Sequence, residues 1–116
     1  MCAKKFKRLQ AHKHTLHLLK KCSGKVRKEL ISAGNNDFIK SLCEVTRNTL
    51  NGNNKLSKKC LAKLRGYKTV MRKINDPKRS LSFKRKVLIQ KGGFLPVILG
   101  ALLSGVIGKI LDRVSV

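Results

Sequence analysis

Between residues 57 and 74 the apolar side chains fall at Cys60, Leu64, Tyr67, Met71 and Ile74. Alternating steps of four and three hold them on one face of a helix, so the spacing predicts an α-helix with a single core-facing stripe. Ser57 is placed to cap it, with Leu56 stapled onto Leu61. Gly66 weakens it by up to about 1 kcal/mol relative to Ala, and Asp76-Pro77 ends it. Upstream, Phe38, Ile39, Leu42, Cys43, Thr46 and Leu50 share one side of a second helix over 37–50. Asp37 sits at the favourable N-terminal end of that helix dipole, Asn35-Asn36 opens it, and Asn51-Gly52-Asn53-Asn54 breaks it. Ser23 caps a shorter helix over 25–33, with Val26, Leu30 and Ile31 inward and Gly34 as the stop. The pattern therefore predicts a small antiparallel three-helix unit.

The flanks differ in character. Residues 1–22 place Phe6, Leu9 and Leu16 at helical spacing among Lys and His and read as a basic arm. After Pro77 a basic linker leads into a short helix from about Ser82. From Gly92 to Gly108 no charged side chain occurs, a stretch of 17 residues that is short of the roughly 20 a spanning helix needs. Within it Gly100, Ser104 and Gly108 recur every four positions, while Leu95, Leu99, Leu102, Val106 and Ile110 supply bulk. Small residues at that spacing let helices approach closely, so these eight positions are the candidates for membrane contact or self-association. The expected architecture is all-α: a basic arm (1–22), a small helical domain (23–76), a basic linker and helix ending in Gly-Gly (77–93), and a hydrophobic tail (94–116).

Charge changes the picture from fold to partner. Twenty-eight Lys and Arg face five Asp and Glu over 116 residues, a net charge of +23. Such an excess predicts a polyanion, nucleic acid first and an anionic membrane second. Duplex DNA carries a phosphate charge per ~1.7 Å, so full neutralisation would occupy roughly 40 Å of helix. Lys outnumbers Arg, and Lys lacks the planar fork that reads guanine edges, which favours coating over sequence readout. The densest clusters nominate Lys4, Lys5, Lys7, Arg8, Lys20, Lys21, Lys78, Arg79, Lys84, Arg85, Lys86 and Lys91 as phosphate contacts.

Other chemistry is sparse. The five acids are scattered, no phosphate-binding glycine loop is present, and no enzyme activity is expected. Cys2, Cys22, Cys43 and Cys60 lack Cys-x-x-Cys spacing, and the basic start is not followed by an apolar leader, so reduced intracellular thiols are expected. His12, His14, His17 and Cys22 lie close in sequence, but only His14 and His17 share a helical face. No metal or other cofactor is expected.

The junction at Lys84–Leu111 carries a resemblance. A basic run, then Gly92-Gly93, a large apolar residue, Leu95-Pro96 and a Gly/Ala/Leu/Ile-rich tail resembles the precursor of the adenovirus mu core protein (protein X) family. Gln90-Lys91-Gly92-Gly93 before Phe94 also resembles the site cut by the adenovirus maturation protease. The resemblance implies recognition of Gln90, Gly92 and Gly93, with cleavage ahead of Phe94. The wider layout, including Leu64-Arg65-Gly66-Tyr67-Lys68, is similar to small proteins of adintovirus and Maverick/Polinton-type DNA elements. The implied role is a virion core protein that condenses double-stranded DNA in the host nucleus and is matured by a protease. The alternative is a virion protein whose tail perturbs bilayers during entry.

Overall fold

Local signals close most of the helix ends. In the computed structural model, which describes residues 7–52, 56–104 and 109, the first helices are α1 (Lys7–Ala11), α2 (Lys13–Lys21), α3 (Gly24–Ala33) and α4 (Asn36–Leu50). They are followed by α5 (Lys58–Leu64), α6 (Lys68–Asn75), α7 (Leu81–Lys91) and α8 (Leu95–Ser104). Ser23, Asn35, Ser57 and Ser80 each accept from the backbone N–H three residues on, satisfying a donor that the first turn leaves free. Gly52, at φ 75°, supplies the left-handed residue that lets the chain turn off the end of α4. Among the described residues every regular element is helical and none is a strand.

The centre of the bundle is α4. It packs against α1, α6, α7 and α8, while α3 lies on α7, α5 on α8, and α2 on α8. Phe38, Ile39, Leu42 and Val45 fill its core face. Its second flank is polar yet buried, and the hydroxyls of Thr46 and Thr49 donate to the carbonyls of Leu42 and Val45 at 2.9 and 3.0 Å. Asn48 Nδ2 donates to the Glu44 carbonyl at 3.0 Å. Burying these groups is affordable because each returns to its own helix.

Four expectations shift. The helix of 57–74 is two helices, α5 and α6, joined by a 3-10 turn over Arg65–Tyr67 that contains Gly66. Val26 is 38 % exposed instead of inward: at about 100° per residue it stands roughly 140° around α3 from Ile31, which is fully buried. Leu61, expected to carry the Leu56 staple, is 54 % exposed at the opening of a cleft that both residues line. The helix placed from Ser82 starts one residue earlier, at Leu81, because Ser80 is the cap.

The described parts of the arm, linker and tail also belong to the same core. Leu9, Leu16 and Leu19 are fully buried, as are Leu88, Phe94, Leu95, Ile98 and Leu99. Together α7, a 3-10 turn over Gly92–Phe94 and α8 form a continuous helical run, Leu81–Leu103, of 23 residues. The Cα radius of gyration, 13.1 Å, is what a single compact body of this length shows.

Candidate nucleic-acid interface

Three of the four acids in the described residues, Asp37, Glu44 and Asp76, are held by cations of the chain itself, and Glu29 is exposed on α3. Asp37 and Glu44 stand two turns apart on α4, and Arg8 of α1 spans them. Its Nε donates to Asp37 Oδ1 at 3.0 Å and its Nη1 to Glu44 Oε1. His12 Nε2 lies 2.8 Å from Asp37 Oδ2, with its ring 5.5 Å from that of Phe38. The His12 hydrogen bond, followed by that of Arg8, holds the Asp37 carboxyl below the usual carboxylate range. Asp76 Oδ1 accepts from the Lys78 N–H at 2.9 Å and Oδ2 lies 3.8 Å from Arg79 Nε. The remaining surface is left with a field of nearly uniform sign.

Beside that network is a cleft of about 290 Å³ into which α1, α4, α7 and the turn before α7 direct Arg8, Lys40, Arg47, Arg79 and Lys84. Lys40 and Arg47 are seven residues apart on α4 and so share a face. Arg79 is steadied by the Phe83 ring, 4.6 Å below its guanidinium carbon, and Arg47 Nε donates to Asn75 Oδ1 at 3.4 Å. Cys43 is part of the lining, and its burial pushes the thiol pKa up, outweighing the pull of Lys84 and Arg47 in the other direction. Burial thus favours the neutral thiol at this wall of the cleft. With Arg8 and Glu44 paired to each other, Lys40, Arg47, Arg79 and Lys84 are left around one opening, an arrangement that can receive phosphate oxygens.

Arg8, Arg79 and Lys84 are thus brought together among the residues nominated from sequence. Lys40 and Arg47 were missed, although their i, i+7 spacing on the polar side of an amphipathic helix is a usable signal. Lys7, Lys21, Lys78, Lys86 and Lys91 are exposed on other faces and Lys20 is half-buried. Lys4 and Lys5 lie outside the described residues. Arg85 is committed elsewhere: its Nη1 donates to the carbonyls of Ile31 and Gly34 at 2.8 and 2.6 Å, and Nη2 to Asn36 Oδ1 at 3.1 Å. It closes the C-terminal end of α3, where the carbonyls have no helical partner. A second basic field, also missed, covers α5 and α6, where Lys58, Lys59, Lys63, Arg65, Lys68, Arg72 and Lys73 are all exposed without an intervening acid.

The diglycine is not presented as an extended strand. Gly92 and Phe94 are buried and Gly93 is half-buried in the 3-10 turn, under Tyr67, whose ring centroid is 5.9 Å from that of Phe94. Gln90 is exposed one turn away. In the tail, Leu95, Leu99 and Leu102 face the core and Gly100 is half-exposed. Val106, Gly108, Ile110 and the Ser104 side chain lie outside the described residues. Among the described residues no three His, Cys, Asp or Glu side chains come together to hold a metal ion. No protein-family model, curated protein or solved structure matches this chain.

Proposed function

We propose that this protein coats and condenses double-stranded DNA by neutralising phosphates without reading sequence. The carrying observation is the cleft shared by α1, α4 and α7, where Lys40, Arg47, Arg79 and Lys84 gather beside acids that Arg8 already pairs. Lysine dominance and the exposed basic field on α5 and α6 extend the same chemistry over a second face. A protein with cations on several sides can hold more than one duplex, which is what condensation requires. The setting we propose, a virion core in the host nucleus, rests on the resemblance of the basic-Gly-Gly-apolar junction to the adenoviral core-protein precursor.

The test is binding of the full chain to duplexes of equal length and unrelated sequence across a salt series. A steep linear fall of log K with log salt, identical for all sequences, is expected. An affinity that hardly responds to salt, or one duplex preferred by about a thousandfold, would sink the proposal.

A second reading, bilayer perturbation by the tail, is favoured by the 23-residue run Leu81–Leu103, with a mean hydropathy of 1.5 in its most apolar window. In the bundle 44 % of that window is buried, so insertion must first part α8 from α2, α4 and α5. Dye release from anionic vesicles by the folded chain tests it; intact vesicles at saturating binding would exclude it.

A further inference from the structure

A cleft of about 310 Å³ opens between the C-terminal end of α4 and the α5–α6 pair. Leu50, Leu56, Leu61 and Met71 make it apolar, and the charged side chains at its rim, Arg65 and Lys68, are both cationic. Leu61, at 54 % exposure, is the most exposed large apolar side chain described, and it stands at this opening, not alone on a charged face. Phosphate chemistry explains Arg65 and Lys68 but gives Leu61 no role, because a DNA backbone offers nothing to an aliphatic wall. A second copy of the chain is disfavoured by the repulsion between two bodies of charge +23. What the cleft complements is a ligand apolar on one side and anionic on the other.

We propose that this cleft docks an acidic amphipathic helix of a partner protein. The groove is walled by helices, the arrangement into which a helix lays apolar residues at i, i+3, i+4 and i+7. Met71 at the floor adapts to the anchor that enters. Arg65 and Lys68 then meet carboxylates flanking the apolar stripe and set its direction. The site shares Arg65 and Lys68 with the basic field on α5 and α6, and it is told apart from the DNA proposal by Leu61, which lies outside the cleft of α1, α4 and α7.

The experiment measures fluorescence anisotropy of a labelled Glu-rich helical peptide with Leu at i, i+3, i+4 and i+7, titrated with the full chain. A peptide of equal charge with Ser at those positions is the control. Salt of about 0.3 M suppresses attraction that is merely long-range. The Leu peptide is expected to bind about tenfold or more tightly than the control. Leu61→Ser is expected to abolish that difference while leaving duplex-DNA affinity within about twofold, its fold checked by circular dichroism. Equal binding of the two peptides, or a preference that survives Leu61→Ser, would overturn the proposal. So would occupancy by a fatty-acid carboxylate or by a second copy of the chain, detected through Leu61-dependent sedimentation, without peptide binding.

Discussion

The Arg85 guanidinium donates to the Gly34 carbonyl at 2.6 Å, across 51 residues of sequence. The contact ties α7 to the end of α3 and spends a cation on structure that composition alone would assign to DNA. Hydrogen bonds from charged donors contribute about 1.5–3 kcal/mol each. Arg85→Ala is therefore expected to lower stability by about that amount in urea titration, and to change duplex affinity no more than any single surface lysine does. Arg85→Lys is expected to rescue little, because an ammonium cannot span the two carbonyls and Asn36 together.

The basic cleft predicts a change of slope. Replacing Lys40, Arg47 and Lys84 by Gln together is expected to reduce the magnitude of d log K/d log salt by roughly 3, at about 0.9 per phosphate contact. Neutralising three scattered residues, Lys21, Lys86 and Lys91, is expected to change it less. Equal slopes for the two triple variants would show that the cleft has no special share of the binding.

Gly93 predicts a barrier to proteolysis. A Cβ there would stand 2.7 Å from the Tyr67 hydroxyl oxygen, so Gly93→Ala would have to push the tip of the phenol off the turn. In the native chain the bond before Phe94 is helical and shielded, whereas a protease cleft takes an extended strand. Cleavage there is expected to be slow under native conditions and to accelerate in urea in proportion to the unfolded population. Mass spectrometry of the fragments checks this. Equal rates in the native and partly unfolded chain would contradict the folded turn.

Acid is expected to loosen the α1–α4 contact. The Asp37 carboxyl titrates lower in the folded chain than the roughly 3.9 of an unfolded one, so its stabilisation is complete above about pH 4 and is lost as pH falls through the folded value. Asp37→Asn is expected to melt earlier than the native protein at neutral pH and to lose less on acidification. Because Asp37 is half-exposed, added salt shrinks the difference. Thermal melts between about pH 6 and pH 2 provide the comparison.

These residues also show what sequence discloses. Ser23, Asn35 and Ser57 are legible as caps because a cap acts within one turn, and the stripe from Cys60 to Ile74 is legible because period alone defines a face. Leu16 and Leu19 look like an arm's occasional apolar residues until α8, some eighty positions later, is placed against them. Nothing local to residues 13–21 encodes that partner. The site divides the same way. Arg8, Arg79 and Lys84 stand in visible basic clusters, whereas Lys40 and Arg47 are isolated cations seven residues apart and gain meaning only when α1 and α7 close around α4. Arg85 could not be told from Lys84 by composition; its distinction is the carbonyls it meets.

Tyr67 leans on the turn that joins α7 to α8, and it is the chain's single tyrosine in a sequence without tryptophan. Tyrosine fluorescence therefore arises at one place, against Gly93 and Phe94. The molecule carries an intrinsic optical probe of that junction: opening by urea, vesicles, a protease or DNA can be followed in real time without a label.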